Sequence, residues 1–209
     1  MRFPVKATAL LLSLLLKTVA ATAEDTLESV LATAAGQANV AIEYREVRHL
    51  QLLSEPWQAE GLMFVTPKHF VIEQMSPQRQ LLTANQLRYR LFIPEKNARH
   101  TGLLTSPMAQ KRFGLFRPLM SGDRATLDKK FDIAFRVEGK RWRIELKPKH
   151  ALSAYYKRII VEGASGKLAD QMKTELDDGD DSEWFFKHQP FTAMTEKQIK
   201  DLMDEAKGE

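Results

Sequence analysis

Apolar residues of this chain recur at two different spacings, and each spacing predicts a different kind of element. After Asp25-Thr26, a pair that can cap a helix, apolar residues return every three or four positions as far as Ala38. This pattern is typical of an amphipathic α-helix with one apolar stripe. A similar helix is predicted over 195–207, and a Leu-rich helical segment is predicted over 108–120, where Pro118 bends or ends it.

Most of the remaining chain alternates between apolar and polar residues, which predicts β-strands. The alternation is clearest over 131–137 and 141–147, which flank a turn at Glu138-Gly139-Lys140. This is the pattern of a hairpin with one apolar and one hydrated face. Further strands are predicted at 40–45, 61–65, 70–72, 80–82, 87–91, 159–161, 168–175 and 184–186. Consecutive hairpins with a few helices predict a mainly β, α+β fold with one large, curved antiparallel sheet and helices over one face.

The N-terminus has the three parts of a secretory signal peptide. Basic residues precede the apolar run Ala7–Leu16, and Ala21-Thr22-Ala23 offers small residues to a signal peptidase. The run is too short to cross roughly 30 Å of hydrocarbon, and Lys17 disfavours the other interpretation, an uncleaved anchor helix. We therefore expect residues 1–23 to be removed on export to the periplasm, and residues 24–209 to form a single soluble domain.

Composition excludes several classes of function. The chain has no cysteine, so thiol catalysis, disulfides, cysteine metal sites and lipidation at an N-terminal cysteine are ruled out. Loss of residues 1–23 would remove three of the 31 basic residues, which leaves 28 against 27 acidic ones. A nearly neutral protein has no global field that attracts nucleic acid. We therefore expect no nucleic-acid partner.

The sequence contains no recognisable catalytic or metal-binding motif. Its five histidines are widely separated, and none has a second ligand at zinc-site spacing on a predicted helix. The acidic run Asp177–Asp181 lacks the ligand spacing of a calcium loop and is interpreted as a hydrated turn. Fingerprints for dinucleotides, phosphates and a nucleophile elbow are absent as well. The sequence predicts no enzyme, no cofactor and no metal, although a Ser, His and Asp joined only by the fold would leave no trace.

The apolar residues are more numerous than one face of a sheet needs. Several predicted strands are apolar on both faces, and the helical segments add further Phe, Leu and Met residues. An interior larger than its side chains can fill becomes a cavity, and an apolar cavity binds apolar ligands. A simply packed core explains the same residues, and composition alone favours that core.

The order of these motifs resembles the LolA-like family of periplasmic carriers of outer-membrane lipoproteins, of which this chain would be a divergent member. The similarity covers 25–186 and begins with the helix and the strand that ends in Glu43-Tyr44-Arg45. Its signature lies at 60–70, where a glycine, an apolar strand, a proline, two residues and an aromatic follow in the family's order. The similarity continues through 142–149 and the two-strand segment 159–178.

This resemblance implies an incomplete, strongly bent barrel, with helices as a lid over an apolar cavity. It implies a periplasmic carrier that binds the acyl chains of a lipoprotein or lipid and ferries them toward the outer membrane. The implied partners are that cargo, an inner-membrane donor and an outer-membrane acceptor, and the carrier is expected to be a monomer. The residues expected in the cavity wall or lid are Leu62, Phe64, Phe70, Ile72, Leu87, Phe113, Phe116, Phe135, Trp142 and Ile144. A register slip of one residue would exchange the faces of this set.

Two departures from the family pattern affect the lid and the cargo. The family places an arginine directly before the signature proline, where it latches the lid. Thr66 occupies that position here, so the latch is Thr66 itself or another residue such as Arg45 or Arg88. The chain beyond Phe186 forms a helix instead of the family's Pro-Gly-rich ending, so a glycolipid or fatty-acyl cargo is as consistent as a lipoprotein.

Two other functions remain open at this level. An enzyme on the same scaffold would need a polar group such as His100 or Glu145 inside the cavity. An adaptor for an envelope assembly would instead have a filled interior and a large exposed apolar patch.

Overall fold

The computed structural model describes residues 25–37, 39–106, 116–149 and 155–208. The predicted signal peptide and most of the predicted helix over 108–120 lie outside these residues. The strands are β1 (Val40–His49), β2 (Trp57–Val65), β3 (Phe70–Ser76), β4 (Gln80–Ala84), β5 (Arg88–Ile93), β6 (Ala98–Leu103), β7 (Phe131–Glu138), β8 (Arg141–Pro148), β9 (Tyr156–Ala164), β10 (Ala169–Leu176) and β11 (Asp181–Gln189). The helices are α1 (Leu27–Ala35), α2 (Phe116–Met120), α3 (Arg124–Lys130) and α4 (Ala193–Lys207), and Pro94–Lys96 forms a short 3-10 turn.

All of these strands belong to one antiparallel sheet in the order β6-β5-β4-β3-β2-β1-β11-β10-β9-β8-β7. The first and last strands meet in the middle, where β1 pairs with β11 from Ala41 opposite Gln189 to His49 opposite Asp181. Eleven strands laid flat would span about 50 Å, and twisted sheets of that width curl. The edge strands β6 and β7 do not pair with each other. The sheet is therefore an open, strongly curved half-barrel, which confirms the predicted fold class.

One face of the sheet, called the inner face here, is covered by α1, α2 and α3. Alternate residues of each strand point to this face, for example Val40, Ile42 and Tyr44 of β1. Helix α1 adds Leu27, Val30 and Leu31 to the same apolar cluster, and α3 adds Leu127. A capping box starts α1, because Thr26 Oγ1 accepts a hydrogen bond from Ser29 N–H at 3.1 Å.

The opposite face, called the outer face here, is covered over β1–β5 by α4. The strands contribute Ala41, Phe64, Val71, Leu81 and Phe92. The helix contributes Ile199, Leu202 and Ala206. This second helical layer is why several strands are apolar on both faces. A packed core, the interpretation that composition alone favours, therefore accounts for the apolar residues of the outer face.

A network of ion pairs fastens α4 to the sheet. The Arg79 guanidinium, in the turn between β3 and β4, donates to Glu205 at 2.5 Å and to Glu73 at 2.7 Å. The hydrogen bond from Arg79 lowers the pKa of the Glu205 carboxyl below its ordinary value. The turn thus holds α4 near its C-terminal end.

Two elements were absent from the expectations drawn from sequence. No helix over 124–130 is among the predictions, but the Asp123 carboxylate accepts from Thr126 N–H at 3.0 Å and begins α3. Strand β6 has no buried residue on either face, so it shows no alternation that could predict it. The opposite edge strand, β7, is covered on one face and does alternate.

Leu202→Ala should lower the free energy of unfolding by about 2–5 kcal/mol, because it removes a buried side chain and leaves a cavity. Leu202 is 6% exposed beneath α4, whereas Met194 of the same helix is 74% exposed. Met194→Ala should therefore change stability by less than about 0.5 kcal/mol. Urea unfolding followed by circular dichroism measures both, and equal costs would contradict the packing of α4.

The Arg79 network also predicts a pH dependence. Because the pKa of Glu205 is lowered in the folded state, its contribution is present above the unfolded pKa of about 4.3 and lost as the pH falls below it. Arg79→Met should flatten this part of the stability profile by less than about 1 kcal/mol, since both side chains are about one-third exposed. Lys197→Met, in an exposed pair of the same helix, is the control. An unchanged profile for Arg79→Met would argue against the network.

Candidate functional site

An apolar pocket of about 40 Å³ lies between the covering helices and the inner face of the sheet. Its lining residues are Val30, Leu31, Ala34, Val40, Leu119, Met120, Trp142, Ile144, Val161, Leu168, Ala169, Met172 and Phe186. Every one of these side chains is a hydrocarbon, a thioether or an indole. The pocket can therefore hold an apolar group, and its lining offers no charged side chain to bind a headgroup.

Helical and strand periodicity together bring these side chains to one place. Val30, Leu31 and Ala34 follow the three- and four-residue spacing of α1, so they share the face that points at the sheet. Trp142 and Ile144 are two residues apart on β8 and therefore point to the same side. The pocket therefore lies where the apolar face of α1 packs over these strand positions.

Trp142 is held flat against the neighbouring strand. A Cβ on Gly163, which lies opposite Trp142 in the sheet, would stand only 2.4 Å from the indole ring. The indole N–H donates to the carbonyl oxygen of Lys167 at 3.2 Å. The pocket floor at this end is therefore rigid.

The pocket is too small for a lipid in the described state. An engineered cavity that binds benzene is about 150 Å³, several times the 40 Å³ found here. A hydrocarbon chain would require α1 or α2 to move away from the sheet. The arrangement with both helices packed on the sheet is called the closed form below.

Apart from apolar packing, a few backbone and polar contacts join the covering helices to each other and to the sheet. Gly122, in the turn after α2, packs on α1, since a Cβ there would lie 2.1 Å from the Leu31 carbonyl oxygen. Arg124 of α3 pairs with the exposed Glu28 of α1 at 3.2 Å. Asp25 accepts from Gly166 N–H of the β9–β10 turn at 3.3 Å. Exposed polar contacts of this kind contribute about 0–1 kcal/mol each, so most of the free energy that holds the cover comes from burial of Leu27, Val30 and Leu31.

A buried carboxylate on the inner face beyond the pocket pairs with an exposed arginine. Glu46 is 3% exposed and accepts from Arg48 at 2.6 and 3.0 Å. The Arg48 guanidinium also stacks 4.6 Å from the centre of the Trp57 ring. This pair was missed in the sequence, where the alternation was followed only as far as Arg45. Continuing it by two residues would have placed Glu46 on the inner face.

The tyrosines of the inner face stay neutral. Burial, followed by the charge of Glu46, raises the pKa of the Tyr44 hydroxyl far above its ordinary value. Burial also raises the pKa of Tyr156 to about 12. Neither hydroxyl is a base at physiological pH.

The structure places the predicted wall residues at several locations. Trp142 and Ile144 line the pocket. Phe70, Ile72 and Phe135 belong to the apolar cluster of the inner face outside the lining. All five side chains therefore lie on the face of the sheet that α1, α2 and α3 cover.

The other predicted wall residues lie elsewhere. Leu62 and Phe64 pack on the outer face against α4, and Leu87 is 73% exposed in the turn between β4 and β5. The physical reason is register: 62 and 64 alternate with Met63, which faces inward. Phe113 lies outside the described residues, and Phe116 is described only as the first residue of α2.

The three latch candidates are Thr66, Arg45 and Arg88. No described contact joins any of them to the helices that cover the inner face. The Thr66 hydroxyl accepts from His69 N–H at 2.9 Å and closes the β2–β3 turn. Arg45 is on the outer face, stacked 4.3 Å from the centre of the Phe185 ring. Arg88 lies at the start of β5, opposite Leu103. The Arg124–Glu28 pair and Gly122 are the contacts that hold the cover instead.

The polar residues considered for an enzyme lie outside the pocket. His100 is exposed on edge strand β6. Glu145 is on the outer face, 3.9 Å from both Lys147 and Arg158. Among the described residues, no group of three or more His, Asp or Glu side chains could hold a metal ion.

The described chain is an open half-barrel whose helices cover an apolar pocket. Residues 19–170 match the family described as "Outer membrane lipoprotein carrier protein LolA-like". The chain therefore belongs to this LolA-like family. No curated protein is similar enough to the chain to match it.

Several solved structures are similar to the chain at low identity. An uncharacterized conserved protein from Thermus thermophilus is 8% identical, with a TM-score of 0.49 over 79% of this chain and 86% of its own. A LolA superfamily protein from Nitrosomonas europaea is 10% identical, with a TM-score of 0.43 over 81% and 95%. The Mycobacterium tuberculosis lipoprotein LppX is 8% identical, with a TM-score of 0.40 over 79% and 94%.

Helices long and apolar enough to cross a membrane do not occur in the described part of the chain.

Gly122→Ala should loosen the cover, because the new Cβ would collide with the α1 backbone at Leu31. Gly139→Ala is the matched control, since its φ of 64° is close to the 62° of Gly122 and nothing lies within 4 Å of its Cβ position. The control should cost about 1–2 kcal/mol for the left-handed backbone alone, and Gly122→Ala about 1–3 kcal/mol more. Urea unfolding and hydrogen exchange across 27–35 measure this, and equal exchange in both variants would contradict the contact.

Proposed function

We propose that this protein is a periplasmic carrier that binds the acyl chains of a lipoprotein or another lipid and moves them toward the outer membrane. The observation that carries the proposal is the entirely apolar pocket between α1, α2 and the inner face. Membership of a family of LolA-like lipoprotein carriers supports it. The ligand would lie where α1 lies in the closed form.

Hydrophobic free energies favour an exchange between α1 and an acyl chain. A chain of about 14 methylenes gains about 11 kcal/mol on burial. Moving α1 aside exposes Leu27, Val30 and Leu31, which costs roughly 5–9 kcal/mol. The difference is a few kcal/mol in favour of binding. A balance of that size allows the carrier to extract its cargo and also to release it.

The lining suggests a carrier that selects for hydrocarbon rather than for a headgroup. Each lining side chain is apolar, so acyl chains of lipoproteins and of other lipids would bind in the same way. Selection of the cargo would then depend on a donor protein in the inner membrane and an acceptor in the outer membrane.

Export and domain organisation belong to the same proposal. Residues 1–23 would be a signal peptide that is removed, and residues 24–209 would function as a monomeric single domain in the periplasm. Mass determination of the exported protein tests the cleavage site, and sedimentation tests the monomer. A mass that still includes residues 1–23 would contradict cleavage of the signal peptide.

Protein purified after export should carry a lipid through purification. Organic extraction followed by mass spectrometry should detect acyl chains that exceed those in a matched sample of an unrelated exported protein. Several preparations without bound lipid, together with no binding of a fluorescent fatty acid, would overturn the carrier proposal.

Ala169→Leu should weaken fatty-acid binding at least about ten-fold, because it places three more carbons in the wall of a small pocket. Ala169 lines the pocket. Ala134→Leu is the control, since Ala134 is exposed on β7. Fluorescence titration with a dansyl fatty acid measures both affinities, with urea midpoints as a check of folding. Equal affinities would place the ligand elsewhere.

A further inference from the structure

The surface at the free edge formed by β5, β6 and their flanking turns, residues 85–106, differs from the rest of the described chain. Elsewhere in the described chain, seven arginines are paired with carboxylates, and Arg45 stacks on the Phe185 ring instead. The paired arginines are Arg48, Arg79, Arg124, Arg136, Arg141, Arg143 and Arg158. On β5, by contrast, Arg88 and Arg90 make no ion pair with a described residue. No described carboxylate therefore balances the positive charges of these two guanidinium groups on β5.

This segment contains more basic than acidic residues. Residues 85–106 contain three arginines and a lysine but a single acidic residue, Glu95. The Glu95 carboxylate accepts from the Gln78 side chain at 2.6 Å. Arg99 is engaged within the protein, since it stacks 3.9 Å from the centre of the Phe92 ring and donates to Asn97 at 2.9 Å. These neutral partners leave the charge of Arg99 in place, so the segment has an excess of positive charge, and Arg88 and Arg90 contribute two guanidinium groups to it that have no described ion-pair partner.

Two exposed leucines lie beside these arginines. Leu87 is 73% exposed and Leu103 is 52% exposed. Arg88 and Leu103 are opposite each other in the β5–β6 register, so their side chains share one face. Leu87 directly precedes Arg88, and its carbonyl oxygen accepts at 2.9 Å from the N–H of Leu104, the residue after Leu103. Leu87, Arg88, Arg90 and Leu103 are called the edge patch below.

We propose that the edge patch docks the protein on the surface of a membrane that contains anionic phospholipids. Guanidinium groups form charge-assisted hydrogen bonds with phosphate, and basic residues near an anionic surface are attracted to it. Leucines that project beside them enter the boundary between headgroups and acyl chains. Strand β6 is a free edge of the half-barrel, so docking there brings the membrane to the open side of the sheet.

Flotation with lipid vesicles tests the edge patch directly. Vesicles of phosphatidylcholine with about 30% phosphatidylglycerol should bind the protein, and vesicles of phosphatidylcholine alone should bind it more weakly, because binding depends on anionic charge. Arg88→Gln with Arg90→Gln should weaken binding about 25-fold, or roughly five-fold for each arginine. Leu87→Ser with Leu103→Ser should weaken it at least about ten-fold. Raising the salt concentration should weaken wild-type binding by screening.

Matched control variants distinguish the edge patch from a general effect of net charge or of surface hydrophobicity. Lys129→Gln with Lys140→Gln removes the same charge from exposed positions near the other edge of the sheet. Leu52→Ser removes a leucine that is 98% exposed in the β1–β2 loop. Both controls should bind vesicles within about two-fold of the wild type. All proteins carry the same N-terminus, and their urea midpoints are compared first.

Three outcomes would overturn the proposal. These are equal binding of the wild type to both kinds of vesicle, equal losses in the lysine control and the arginine variant, and edge-patch variants that bind anionic vesicles like the wild type. The last outcome would leave an acidic protein surface as the occupant to test. The edge-patch variants should keep fatty-acid affinity, so failure here is distinguishable from failure of the carrier function.

Discussion

The structure depends on one constraint: a sheet of eleven strands that does not close must have its apolar surface covered by helices. A closed barrel would bury its interior by itself. Here β6 and β7 stay apart, and the inner face is covered by α1 and the short helices α2 and α3. The packing of the α1 stripe against the sheet therefore stabilises the fold and also closes the pocket. The same contacts must be broken when a ligand enters.

Helices cover the apolar surfaces of the two faces of the sheet in different ways. On the outer face, α4 is long, capped and tied to Arg79 through Glu205, and it packs on the buried side chains of β1–β5. On the inner face, the cover is divided among three shorter helices that meet at Gly122 and at the exposed Arg124–Glu28 pair. The outer layer is therefore one continuous helix with an ion pair near its C-terminal end, whereas the inner layer is divided into segments joined by exposed polar contacts.

Fold class and most strands could be predicted because alternation is strong wherever one face is buried. The hairpin over 131–147 appears as β7 and β8, and the stripe of Leu27, Val30 and Leu31 appears as α1. Strand β6 could not be predicted because neither of its faces is buried, so it has no alternation of apolar and polar residues. The other edge strand, β7, is covered on one face and does alternate. The wall residues divided between faces for a related reason: alternation separates Met63 from Phe64 but does not say which of them faces the pocket.

The sequence by itself determined the local periods, the turns, the absence of thiol chemistry and the similarity to LolA-like carriers, because each is written in neighbouring residues. Only the tertiary structure decided which apolar face meets α1 and which meets α4, since both faces satisfy the same local preference. It also decided that the pocket is closed and that Glu46 is buried beside Arg48. Those outcomes depend on how distant segments pack together, and packing between segments leaves no local signature in either of them.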